Sequence, residues 1–183
     1  DFVGMSLTQD NQIHIKHDII KKIDLNDNSV DIIQSEDVME HIEYDKLVDI
    51  FNEFYRILKP GGIFRLSMPD YSCDILNKRS FKDINGNIVF DKGGGGDYDF
   101  KNNKVINGGH LWFPKYNLVK FLIDSSNFSK GKIEYLHYYD ENNNPIHKKI
   151  DYSKGYISRT PDHDDRVKNP YRPMSIVVDC HKL

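Results

Sequence analysis

Cysteine is almost missing from this chain. Cys73 and Cys180 are the two in 183 residues, and neither has the CxxC or metal-type spacing of a zinc or redox motif. A disulfide framework is therefore excluded as the source of stability, and two reduced thiols are expected. Long hydrophobic runs are also missing. No stretch of about 18 apolar residues occurs and no basic segment leads into an apolar signal, so neither a membrane span nor secretion is supported and a cytoplasmic protein is expected. An excess of charge of one sign is lacking too: 25 Lys and Arg against 28 Asp and Glu leave a net charge of -3. Without a basic field, duplex nucleic acid is not the expected partner, which leaves small molecules or proteins.

What is present suffices for a core. Hydrophobic residues make up 38% of the chain and aromatic residues 12%, while a mean hydropathy of -0.63 points to polar loops around that core. A length of 183 residues suits one domain able to bury most of the surface that its unfolded chain exposes. The first residue is Asp1 rather than Met, so the numbering reads as starting inside a longer chain.

Periodicity sets out the elements. Gln12 to Ile19 alternates polar and apolar side chains as a strand does. Val30 to Ser35 is a short β-branched run of the kind buried in a parallel sheet, and a central strand is expected there. From Asp45 to Leu58, Leu47, Phe51, Phe54 and Leu58 recur at helical spacing, and Lys59-Pro60-Gly61-Gly62 reads as a structural turn into a strand over Ile63 to Met68. Ser80 to Gly109, with Gly93 to Gly96 in a row, shows no sustained period and is read as a flexible insertion rather than a phosphate cradle. Pro114 to Phe128 returns to helical spacing with Leu118, Phe121 and Leu122 on one face. Lys132 to Tyr138 and Met174 to Cys180 read as strands.

Strand, helix and strand in that order and length make a parallel crossover. The class is α/β, with a Rossmann-like, mostly parallel sheet flanked by helices and an antiparallel strand near the C-terminus. In such sheets ligands sit beyond the carboxyl ends of the strands, where loops and helix amino termini offer unpaired donors. Asp18, Ser35-Glu36-Asp37 and Asp70-Tyr71 fall at such ends.

In order, His17-Asp18, the stretch SVDIIQSEDVMEHI from Ser29 to Ile42, YRILKPGG from Tyr55 to Gly62, and Met68-Pro69-Asp70 resemble the middle and later motifs of small class I S-adenosylmethionine-dependent methyltransferases. His110 before Trp112-Phe113 is similar to the family's late segment, so the likeness runs from about Gln12 to Cys180 with interruptions. The Gly-rich loop that opens such domains has no counterpart here, and the fold is expected to be incomplete at its N-terminus.

The resemblance implies transfer of a methyl group from S-adenosylmethionine, with S-adenosylhomocysteine as product, to a small-molecule or glycan acceptor. It implies that Asp18 and Ile19 lie by the adenine edge and that Ser35, Glu36 and Asp37 line the sulfonium side. Asp70, Tyr71 and Trp112 are expected on the acceptor side, and His41 and His110 are the candidate catalytic groups, imidazole being the side chain that titrates near neutral pH. A structural role for each histidine stays open. No metal site is expected: Pro161 to Asp165 offers oxygens and one imidazole, but lacks spaced ligands and reads as a solvated loop. Arg159, Arg166 and Arg172 could meet an anionic substrate or serve as surface charge. A catalytically silent, methyltransferase-like binding module is the competing reading of the whole.

Overall fold

The β-branched run that opens the expected crossover does form a strand, but at an edge. In the computed structural model, which describes residues 2–183, the five-stranded sheet has the order β10-β9-β11-β4-β3. Its members are β3 (Val30–Glu36), β4 (Leu58–Pro69), β9 (Ile133–Tyr139), β10 (Pro145–His147) and β11 (Ser175–His181). β3 runs parallel to β4, β11 is antiparallel to both β4 and β9, and β10 is antiparallel to β9. Strands β3, β4 and β9 thus share one direction. Val30 to Ser35, expected in the centre, has β4 on one side and no strand on the other among the described residues. The expected strand over Gln12 to Ile19 contracts to β2 (His14–Lys16), which pairs parallel with β1 (Gly4–Ser6) in a separate two-stranded sheet.

Helix α1 (Leu47–Ile57) crosses from β3 to β4. It buries Leu47, Ile50, Phe51, Phe54 and Ile57, the stripe that a 3.6-residue period brings to one face. Each of these side chains contributes roughly 1.5–3 kcal/mol by leaving water. Phe64, Leu66 and Met68 of β4 meet this stripe with Ile176, Val178 and Cys180 of β11, and Phe64 stands edge-on to Phe51 and Phe54 at 5.3 and 5.1 Å. Lys59 to Gly62 is not a free turn. It bulges out of β4 opposite Asp31, because Val30 pairs with Leu58 and Ile32 with Ile63, and Gly61 takes φ 78° to let the chain rejoin the ladder.

Helix α2 (Asp74–Arg79) follows β4. The segment expected to be a flexible loop then folds into two hairpins, β5 (Ser80–Lys82) with β6 (Ile88–Asp91) and β7 (Asp97–Asp99) with β8 (Lys104–Ile106). Strands this short carry too few residues for a period to show. Three of the four glycines between the hairpins are packing residues: a Cβ on Gly93 would strike the Arg79 guanidinium, one on Gly94 the His110 ring at 2.6 Å, and one on Gly96 the Gly108 carbonyl, while Gly95 faces open space at φ 81°.

Helix α3 (Tyr116–Ser125) joins α1 on the same face of the sheet. Its buried residues are Val119, Leu122 and Ile123, while Phe121 is 62% exposed and Leu118 37%, so the core face is rotated from the one expected. The opposite face of the sheet is covered by the segment from Ile150 to Ile157. Loop residues Ile150, Tyr152 and Ile157 pack there on Leu136 and Val177, and a fully buried Arg65 binds Asp179 and the carbonyls of Asp151 and Gly155.

Candidate functional site

Parallel register brings two strand ends to the same edge of the sheet. Glu36 pairs with Ser67, so Asp37 follows β3 where Asp70 follows β4. The Asp37 amide donates to the Ser67 carbonyl at 3.1 Å, and Asp37 itself takes φ 55°, turning the chain toward a short 3-10 turn at Met39–His41. That turn is stitched to the segment before α3 at three points. The Leu111 amide donates to the Glu40 carbonyl at 2.8 Å, Trp112 Nε1 to the Met39 carbonyl at 3.0 Å, and His41 Nδ1 to the Gly109 carbonyl at 3.0 Å. Glu40, His41 and His110 are thereby gathered, although His41 and Gly109 are 68 positions apart.

Tautomers follow from the partners. Tyr71 donates its hydroxyl to Asp91 Oδ2 at 2.7 Å, so its oxygen accepts from His110 Nδ1 at 2.5 Å. His110 Nε2 is then the bare nitrogen, and it faces Glu40 Oε1 at 3.6 Å. His41 likewise spends Nδ1–H on Gly109 and keeps Nε2 free. Asp91 is held in turn by a fork from Arg79, Nε to Oδ1 and Nη2 to Oδ2 at 2.8 and 2.7 Å.

Glu40 is fully buried and neither of its carboxyl oxygens has a hydrogen-bond partner. Burial pushes its pKa up to about 8, and the neighbouring Asp37 adds to this. Burial, reinforced by His41, brings His110 down to about 4. At neutral pH the two face each other uncharged rather than as an ion pair. Burial also raises Asp37, against the pull of Arg159, whose Nε donates to Asp37 Oδ2 at 2.9 Å. Burial tends to raise Asp91, but the bonds from Arg79 and Tyr71 outweigh it and its pKa is lowered.

The residues expected at the cofactor divide into two groups. Ser35 is buried with an unpartnered Oγ, Asp37 Oδ1 is likewise unpartnered, and both lie at the end of β3. Glu36 beside them takes both bonds from Ser158, amide and hydroxyl, on Oε1. Asp18 and Ile19 sit in the turn after β2, where Asp18 Oδ1 accepts from the Ile20 amide and no hydrogen bond joins it to Ser35, Glu36 or Asp37 among the described residues. Ile19 packs on the rim of the main core.

On the expected acceptor side, the polar atoms are largely spent within the chain. Asp70 is fully buried and accepts from the Ser72 and Tyr139 amides at 2.9 and 3.0 Å, locking the end of β4 to the end of β9, while burial raises its pKa to about 6. Tyr71 orients His110, and Trp112 closes the core over Met39. An open cleft lined by Ser72, Lys115, Tyr116, Tyr139 and Asn143 lies beside them. Arg159, Arg166 and Arg172 are paired with Asp37, Asp164 and Asp74. In the Pro161 to Asp165 loop, Asp162 accepts from Tyr152 and Tyr171.

Sequence reasoning missed Asp91 and Arg79, because they flank a stretch with no period. The apolar run Ile88-Val89-Phe90 before Asp91 was the available signal. It also gave Glu40 no place beside His41 and His110, since chain distance gives no hint of the stitching.

A family model described as a methyltransferase domain matches residues 4–66. No curated protein sequence matches the chain significantly. Among solved structures, an S-adenosylmethionine-dependent methyltransferase from Mesorhizobium loti is similar over 92% of this chain and 69% of its own, at 16% identity and a TM-score of 0.51. One from Thermotoga maritima, described as a possible histamine N-methyltransferase, is similar over 93% of this chain and 64% of its own, at 14% identity and a TM-score of 0.50. A third, from Methanosarcina mazei, covers 93% and 66% at 13% identity and a TM-score of 0.48. The chain spans about two thirds of the length of these proteins. The likeness to the first two is one of fold. Residues 4–66 are thus similar to a methyltransferase domain, and the whole chain shares the fold of S-adenosylmethionine-dependent methyltransferases.

Proposed function

We propose that this chain transfers the methyl group of S-adenosylmethionine to a small-molecule or glycan acceptor. The observation that carries this reading is the set of unspent polar atoms at the end of β3: Ser35 Oγ and Asp37 Oδ1 are buried without partners, and Glu36 has both Ser158 bonds on one oxygen. Carboxylates and a hydroxyl at a strand end suit a ligand that carries a cationic sulfonium and an ammonium group. When bound, S-adenosylmethionine supplies an electrophilic methyl group on sulfur.

The chain's own residues would do the rest. Ser35, Glu36 and Asp37 would hold the sulfonium end, and Asp18 with Ile19 would approach the adenine end from the turn after β2. Positioning and exclusion of water are the chief sources of rate for such a displacement. The acceptor's electron pair would take up that methyl group, and a neighbouring base of the chain would receive the proton that the acceptor gives up. His41 and His110, each with a bare Nε2, would be the groups to receive that proton.

Calorimetric titration of the chain with S-adenosylhomocysteine tests this. Saturable one-to-one binding that Glu36→Lys weakens tenfold or more supports it. Absence of heat with the chain, or an unchanged affinity in Glu36→Lys, rejects the proposed pocket and favours a silent binding module.

A further inference from the structure

We propose that Glu40, His41 and His110 form a binding site for a divalent first-row transition-metal ion. One ligating atom of each residue lies within 4.8 Å of those of the other two. The argument rests on what each donor has left to give. Both histidines spend Nδ1–H on an oxygen, Gly109 carbonyl for His41 and Tyr71 hydroxyl for His110, so both offer a bare Nε2. This is how metal-binding imidazoles are held: the second nitrogen is fixed by a hydrogen-bond acceptor, which sets the tautomer and the ring's direction. For His110 the holding chain runs on through Asp91 to Arg79.

Glu40 supplies the observation that the histidines alone could not. It is a carboxyl with no exposed surface and two oxygens without a hydrogen-bond partner. A buried polar atom left unpaired costs about 1–3 kcal/mol, and more for a charged group. A cation beside it satisfies both oxygens at once. Ion-to-ligand distances near 2 Å place ligands on one ion up to about 4 Å apart. Glu40 Oε1 and His110 Nε2 already stand at 3.6 Å, so the exposed His41 is the one ligand left to be drawn in, by a small shift that keeps its Gly109 bond.

Two imidazoles and a carboxylate suit ions from manganese to zinc, whereas magnesium and calcium favour all-oxygen sets, and thiolate-seeking ions lack a ligand here. Three protein ligands leave positions open for water or for an acceptor oxygen or nitrogen. The site stands on its own donors and is measured without any cofactor. Its failure and failure of S-adenosylhomocysteine binding are therefore separate results.

The probe is Co²⁺, titrated into chelator-stripped chain and followed by its visible d–d absorption, with Zn²⁺ as competitor. One equivalent of Co²⁺ is expected to bind and to be displaced by Zn²⁺, which should also raise the melting temperature. The band should vanish in Glu40→Gln and in His41→Asn, and Tyr71→Phe should weaken binding ~10–100-fold through its loss of hold on His110. Because His41 is exposed, His41→Asn reads the site even if a buried substitution unfolds the chain. His163→Ala, remote from the cluster, should leave band and affinity unchanged. No saturable binding by the chain, or a band that persists in His41→Asn and folded Glu40→Gln, overturns the proposal.

Discussion

Arg65 and Asp179 face each other in register across β4 and β11, and the guanidinium forks onto the carboxylate with Nε–Oδ1 and Nη2–Oδ2 both at 2.8 Å. Arg65 has no exposed surface and Asp179 3%. The remaining Arg65 donor reaches the Asp151 and Gly155 carbonyls, so one buried ion pair also ties down the segment that covers the face of the sheet opposite α1 and α3.

Removing one partner leaves a buried charge with nothing opposite. Arg65→Met and Asp179→Leu should each cost about 3–5 kcal/mol in urea unfolding. The double variant should cost less than either single change, since an apolar pair of similar volume leaves no charge uncompensated. A double cost equal to the sum of the singles would show that the two do not act as a pair.

His137 is buried, its Nε2 donates to the Lys148 carbonyl at 3.1 Å, and its Nδ1 has no partner. Burial lowers its pKa to about 4, against a partial raise from that bond. Between pH 4 and 6.5 the unfolded chain therefore binds a proton that the folded one refuses, and stability falls as pH drops through that window. Asp70, raised to about 6, acts in the opposite direction below that pH, so the variant difference is the clean reading. The stability of the parent relative to His137→Phe should decline by up to about 1.4 kcal/mol per pH unit on acidification, read from urea melts at pH 4.5 and 6.5.

Gly94 lies against the His110 ring, and a Cβ there would reach Cγ at 2.6 Å. Gly94→Ala should displace that ring and cost about 1–3 kcal/mol by overpacking. The His110 imidazole signals in an NMR spectrum should shift while those of His163 stay in place. Unchanged His110 signals would mean that the hairpin yields instead.

The helical face of α3 is tested by a pair of truncations. Leu122 is buried at 1% exposure and Leu118 stands at 37%. Leu122→Ala should cost about 2–5 kcal/mol, and Leu118→Ala should cost far less. Equal costs would restore the face that contains Leu118 and Phe121.

The elements with a long, one-sided pattern were legible from residue order. α1 shows its stripe because a helix on a sheet buries one side only, and β4, β9 and β11 show theirs because strands of seven or more residues have room for a run or an alternation. The likeness carried by Ser29 to Ile42 and Tyr55 to Gly62 belongs with these, since strand, helix and strand are contiguous there. Leu118 and Phe121 were misassigned because both faces of α3 carry apolar residues, and only the sheet decides which of them leaves water.

The amino-acid sequence by itself determined the α/β class, the crossover from β3 to β4 and the placement of Ser35, Glu36 and Asp37 at a strand's end, because each is set by spacing along the chain. Tertiary structure alone decided that the glycine-rich stretch forms two hairpins packed on Arg79 and His110, and that Glu40 meets two histidines held by Gly109 and Tyr71. Those contacts depend on hydrogen bonds between segments remote in the chain, and such bonds leave no periodic trace in the residues that make them.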